Sequence, residues 1–96
     1  MPIAPPLQVA LGRAVKARRA ELGLTQEQVA LRGDLQQRWI SNVETGKRDL
    51  RYSSLRRLAP LLELTTAQLM DRAEASERDL QAGGSQDALA EGPAAS

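Results

Sequence analysis

The stretch TQEQVALRGDLQQRWISNVETG, Thr25–Gly46, decides the fold. It follows Leu24, and its first residues carry a helix-start signature: Thr25 can cap, Gln28 completes a capping box, and Leu24 can staple to Val29. Val29 and Ala30 supply the inner face of this first short helix, and Ala30 is small enough to let another helix cross closely. Gly33-Asp34-Leu35 form a turn in which one residue takes positive φ, which Gly does freely and Asp tolerates. A second helix follows, with Leu35, Ile40 and Val43 inward and Gly46 as its stop. Its start at Gln36 is weaker, because Gln caps less well than Ser or Asp.

Outward from this unit the pattern stays helical. Leu7, Leu11, Ala14, Val15 and Leu22 recur at helical spacing up to Gly23, with Arg13, Lys16, Arg18 and Glu21 largely off that stripe. A fourth helix is predicted over about Ser53 to Leu62, with Leu55, Leu58, Ala59 and Leu62 inward; Pro60 within it removes a backbone donor and bends it or ends it early. Leu64-Thr65-Thr66-Ala67-Gln68-Leu69 repeats the capping box and staple, and a fifth helical pattern runs from Thr66 to about Gln81 with Leu69, Ala73 and Leu80 on one side. Pro2, Pro5 and Pro6 keep the first residues non-helical, and AGGSQDALAEGPAAS reads as a disordered tail. The expected organisation is an arm over 1–6, an all-α five-helix domain over 7–72, a helical extension over 73–81 and a tail over 82–96. No period-two strand pattern and no internal repeat occurs.

Composition narrows the function. The 96 residues suit one domain, whose core must be aliphatic because Trp39 and Tyr52 are the only aromatics. The absence of Cys and His removes thiolate chemistry, disulfides, the commonest general base and the commonest metal ligand. The carboxylates lie scattered among basic residues with no metal-ligand spacing. No nucleophile–base set, phosphate loop or cofactor motif is present, so the reading is a non-enzyme without metal or cofactor. No apolar run approaches the ~20 residues of a membrane span, and the N-terminus lacks a basic secretory leader. A cytoplasmic protein is expected. Residues 1–64 hold eleven Lys/Arg against six Asp/Glu, a balance of +5, whereas 65–96 hold two against six, a balance of −4. A basic body with an acidic tail suits a polyanion partner for the body.

The region from about Leu11 to Leu69 resembles the phage repressor/Cro-type (Xre-like) helix-turn-helix family. The residues that carry the resemblance, in register, are Arg19, Thr25-Gln26, Val29-Ala30, Ile40-Ser41, Val43, Glu44-Thr45-Gly46-Lys47-Arg48 and Leu55-Arg56-Arg57-Leu58-Ala59. Three departures stand out. The family's turn Gly falls where Asp34 stands, and an apolar residue stands at Gly33, which implies a distorted turn and a lost core contact. Leu50 and Arg51 replace the usual Pro and Ser, so the fourth helix is expected to start at Ser53 or Ser54. Pro60 is also atypical.

At 100° per residue about Ile40, Val43, Gln36 and Glu44 fall on the inner side, within about 60°, while Arg38, Ser41, Asn42 and Thr45 point away and Gln37 flanks them. A recognition helix reads bases with its outward and N-terminal residues, where Gln and Asn suit adenine and Arg suits guanine. Gln37, Arg38 and Asn42 are therefore the base-reading candidates, with Ser41 and Gln36 second. Gln26 at a helix N-terminus is a phosphate candidate, as are Lys47, Arg48 and Arg51 after the recognition helix; Arg56 and Arg57 read as a solvated loop. The plain alternative for each is a solvated surface group. The resemblance further implies a largely buried Arg19–Glu44 ion pair. Trp39 reads as a residue on the core rim, or else as a contact to a thymine methyl or a partner subunit.

The function expected is a sequence-specific regulator of transcription, a repressor bound as a homodimer to a double-stranded operator with half-sites about 34 Å apart. A restriction–modification controller is one form of it. Leu69, Met70, Ala73 and Leu80 are the candidate dimer residues. The alternative from another class is an antitoxin whose acidic C-terminal segment holds a protein partner.

Overall fold

The computed structural model describes residues 7–91, with side-chain surroundings through residue 82, and over them the chain is all-α. The helices are α1 Leu7–Glu21, α2 Gln26–Gly33, α3 Gln37–Glu44, α4 Tyr52–Leu61 and α5 Thr66–Glu91. Both expected capping boxes form. Thr25 Oγ1 accepts the Gln28 N–H at 3.0 Å while Gln28 Oε1 accepts the Thr25 N–H at 2.8 Å, and Thr65 and Gln68 repeat this at 3.0 and 2.9 Å. Gln36, the weaker cap, makes no capping side-chain bond at the head of α3.

α1 to α4 all stop by one device. A residue in the left-handed region follows the helix (Gly23 φ 70, Asp34 φ 55, Gly46 φ 76, Glu63 φ 60). The next N–H then bonds five residues back: Leu24 to Arg19 O, Leu35 to Ala30 O, Lys47 to Asn42 O and Leu64 to Ala59 O, at 2.8–3.1 Å. This corrects the expected distortion of the α2–α3 turn. Asp34 takes the left-handed position itself, so the turn is regular. The core contact missing at Gly33 is supplied from α4: a Cβ at Gly33 would sit 2.5 Å from Leu61 Cδ1.

The centre of the core is aliphatic, with Val15, Val29, Ile40, Val43, Leu58, Leu62 and Leu69 fully buried. Each contributes about 1.5–3 kcal/mol by burial. α5 lies along α1 through Leu69 and Ala73. α1 crosses α3 at Gly12, where a Cβ would fall within 2.7 Å of the Glu44 carbonyl oxygen and closer still to that of Val43.

Four further expectations are corrected. Leu7 is 64 % exposed rather than inward, because the first turn of α1 projects past the packed layer that begins at Ala10. α4 starts at Tyr52, before Ser53 or Ser54, with Arg51 at its cap position; Arg56 and Arg57 lie within it, as the helix expected over Ser53 to Leu62 already placed them, and not in a solvated loop. Pro60 is the last residue but one of α4; it removes one backbone donor as expected, while the helix stops at Leu61 through the left-handed Glu63 and the bond from the Leu64 N–H to Ala59 O. α5 continues to Glu91, ten residues beyond the expected stop near Gln81; each residue added to a formed helix gains a backbone hydrogen bond, which here carries it through Gly83 and Gly84 despite their poor helix propensity. The tail expected over 82–96 thus overlaps α5 through Glu91 and otherwise lies outside the described residues, as does the arm 1–6.

Candidate nucleic-acid interface

α2, the turn and α3 present one polar surface, and its geometry starts from an ion pair beneath it. Arg19 of α1 grips Glu44, the last residue of α3, with two N–H donors: Nε to Oε2 at 2.6 Å and Nη2 to Oε1 at 2.9 Å. Arg19 Nη1 also donates to Leu24 O at 2.8 Å, which ties the α1–α2 turn to the same group. The Glu44 side chain is 2 % exposed and that of Arg19 16 %. Hydrogen bonding to Glu44, with its charge, raises the Arg19 guanidinium above its ordinary value against the opposing pull of burial. The expected pair is thus present, bidentate, and spans three elements.

From Glu44 a hydrogen-bonded chain runs outward. Gln26 Nε2 donates to Glu44 Oε1 at 2.9 Å, and Gln26 Oε1 accepts from Gln37 Nε2 at 3.3 Å. Gln26, expected as a phosphate contact, therefore has its amide placed between the buried carboxylate and the first residue of α3. Sequence reasoning missed this chain, because its members are 18 and 11 residues apart and only the crossing of α2 over α3 joins them.

The outer side of α3 carries the base-reading candidates. Gln36, Gln37 and Arg38 are exposed, and Ser41 and Asn42 are half-buried at its edge. Ile40, Val43 and Glu44 face the core as the sequence reading has it, but Gln36, expected on the inner side, is exposed, because it stands at the cap position with extended backbone (φ −82, ψ 141) and so does not follow the helical step. Trp39 is half-buried and packs against the core, the rim position expected of it. Lys47, Arg48 and Arg51 are exposed on the segment between α3 and α4. Gly46, at φ 76, packs against Val9 and fixes where this segment leaves α3; a Cβ there would lie 2.8 Å from Val9 Cγ2.

The basic residues divide by role. Arg18 Nε donates to Leu62 O at 3.0 Å, Arg32 Nη1 to Leu61 O at 3.1 Å, and Arg57 Nη2 to Gly33 O at 3.0 Å. With Arg19 to Leu24 O, four arginines thus hold carbonyls at or just past helix ends. Arg38, Lys47, Arg48 and Arg51 take part in no ion pair among the described residues. Among the described residues no cluster of three or more His, Cys, Asp or Glu could hold a metal ion, and no helix is long and apolar enough to cross a membrane.

The chain is similar to known proteins. A family model described as a helix-turn-helix domain matches residues 10–73. No curated protein matches the chain. Among solved structures, the clp gene regulator ClgR from Corynebacterium glutamicum is 27 % identical, with a TM-score of 0.78 over 90 % of each chain. The restriction–modification controller C.Esp1396I, solved as a tetramer in complex with its natural 35 base-pair operator, is 27 % identical with a TM-score of 0.68, over 74 % of this chain and 93 % of that one. The controller C.AhdI from Aeromonas hydrophila is 27 % identical with a TM-score of 0.61, over 65 % of this chain and 94 % of that one.

Proposed function

Because the chain belongs to the helix-turn-helix domain family, of the repressor/Cro (Xre-like) type, we propose that it is a repressor that binds a double-stranded operator as a homodimer. The observation that carries this reading is the exposed polar edge of α3 above a buried anchor. Gln37 is tethered through Gln26 to Glu44, while Arg38 and Asn42 stand one helical turn apart on the open side. Such a face fits the major groove, with Gln37, Arg38 and Asn42 reading bases and Ser41 and Gln36 beside them. Lys47, Arg48 and Arg51 hold the backbone, and so do the N–H groups at the start of α2 next to Gln26.

The dimer face is narrower than the sequence expectation. Leu69 and Ala73 belong to the core of their own domain and half-buried Met70 packs against it, which leaves Leu80 and the open side of Met70 of the four candidates for a partner. C.Esp1396I was solved as a tetramer on its operator, and that likeness favours an oligomer here. The three matched regulators favour this reading over the antitoxin alternative, and a cytoplasmic, DNA-associated location goes with it.

Selection of bound sequences from random duplex tests the reading and returns specificity and half-site spacing together. Gln37→Ala, Arg38→Ala and Asn42→Ala should each lose about 1–3 kcal/mol on the selected site and less on random duplex. Equal losses on both would remove the base-reading role.

A further inference from the structure

We propose that a cleft beside the recognition helix is a phosphate subsite, in which Arg57 of α4 and Arg48 hold a backbone phosphodiester of the bound duplex, with Arg38 at its rim on the base-reading edge of α3. The cleft has a volume of about 300 Å³ and opens between the α2–α3 turn, the flank of α3, the α3–α4 segment at Arg48 and α4 at Arg57. Arg38, Trp39, Asn42, Arg48 and Arg57 line it together with Asp34. Three guanidiniums thus face one carboxylate, and none of the three is in an ion pair among the described residues. Like charges gathered this way repel one another, and an anion between them relieves that repulsion.

The chemistry of the lining selects phosphate. A guanidinium is a flat fork of five N–H donors that matches phosphate oxygens two at a time. Arg57 is fixed at the wall by its bond from Nη2 to Gly33 O, which leaves its other donors for a ligand. Trp39, half-buried, adds aromatic surface of the kind that binds guanidinium groups. A water occupies ~30 Å³ of liquid, so the cleft has room for a phosphodiester and several waters. Arg38 and Asn42 belong both to this lining and to the outer edge of α3. A duplex against α3 therefore brings its backbone past the mouth of the cleft.

This assignment rests on the proposed duplex binding, and the experiment separates the two. Affinity for the selected operator and for random duplex is measured over a range of salt for the wild type, Arg48→Gln, Arg57→Gln, the double variant and Arg57→Lys. Each protein's melting transition is recorded alongside. Loss of the one phosphate contact in the double variant should reduce the slope of log K against log salt by about 0.9 on both duplexes. Each single variant should lose part of that, and Arg57→Lys should recover the Arg57 share. If Arg57→Gln fails to fold, Arg48→Gln and Arg57→Lys carry the comparison, since Arg48 makes no side-chain bond to the protein among the described residues. Trp39, the single tryptophan, reports occupation directly: its emission should change with random duplex and cease to respond in the double variant. An unchanged slope in the double variant, while Lys47→Ala flattens it, would overturn the subsite and leave duplex binding intact. Trp39 emission that responds to micromolar inorganic phosphate but not to duplex would overturn the assignment to the nucleic-acid backbone in favour of a free anion. A wild type that binds no duplex at any salt would take both readings with it.

Discussion

Replacing Arg19 by methionine removes two of the three side-chain donors that Glu44 receives. What remains is Gln26 Nε2 at 2.9 Å, one neutral donor for a carboxylate whose side chain is 2 % exposed. Breaking a buried pair from one side costs about 3–5 kcal/mol, because the surviving charge stays desolvated. Small domains hold about 5–15 kcal/mol in total, so Arg19→Met should lose about a fifth or more of the stability. At about 4–8 °C per kcal/mol for a domain of this size, the melting temperature falls by tens of degrees. Glu44→Gln should be milder, about 1.5–3 kcal/mol, the worth of hydrogen bonds to a charged group. Arg19 still donates to Leu24 O at 2.8 Å and, at 16 % exposure, reaches some solvent. The double variant has no stranded charge, so its loss should fall short of the summed single losses by about 1–3 kcal/mol. Urea unfolding followed by helical circular dichroism supplies all four corners, provided the slope of each transition is unchanged. Additivity within about 0.5 kcal/mol would refute the coupling. So would a cost for Arg19→Met smaller than that for Glu44→Gln, since the reasoning depends on Glu44 being the more buried partner.

Other positions follow from the same geometry. Asp34→Gly should raise stability by up to about 1 kcal/mol, because a left-handed backbone disfavours any Cβ and Asp only tolerates it; Asp34→Val should lower stability, and thermal melts of the pair give opposite signs if the turn is as described. Gly12→Ala should cost about 1–3 kcal/mol despite alanine's better helix propensity, since the added methyl meets the Val43 and Glu44 carbonyls; a neutral or stabilising result would contradict the close crossing of α1 and α3. Glu21 is held below the usual carboxylate range by hydrogen bonds first from Arg72 and then from Arg18. A depressed folded value means that its contribution is present above the unfolded pKa and lost as pH falls through the folded one. An NMR titration should show Glu21 ionising below an unperturbed glutamate and moving back toward it in Arg72→Gln.

Much of this was legible in the sequence because the signals are local. The capping boxes at Thr25 and Thr65 each lie within four residues, and the α3 stripe of Ile40 and Val43 repeats within one turn, so spacing alone fixes them. Features set by helix crossings were not legible. Gly12 looks like an unfavourable residue in a helix until α3 is laid across it, although an isolated glycine in a helical pattern is itself a sign of close packing. Gly33 and Asp34 read as a displaced turn because the residue that compensates, Leu61, is 28 positions away. The Arg19–Glu44 pair was available only through the family resemblance, since no local rule links positions separated by 25 residues.

Charge shows the same division and bears most on function. The +5 balance of residues 1–64 points to a polyanion partner, yet Arg18, Arg19, Arg32 and Arg57 are engaged with carbonyls of their own chain. Helix C-termini carry the negative end of the peptide dipoles, and a domain with few large core side chains gains from cations placed there. Net charge therefore overstates the binding face. What counts is which cations stand beside α3 without an anionic partner among the described residues, and these are Arg38, Lys47, Arg48 and Arg51. Arg57 belongs to both groups: one donor holds the end of α2 while the others face the cleft beside α3. A residue with that double engagement links the position of the α2–α3 turn to the ligand. Loss of Arg57 should therefore weaken duplex binding more than its charge alone predicts, and Arg57→Lys should restore the salt slope more fully than the affinity.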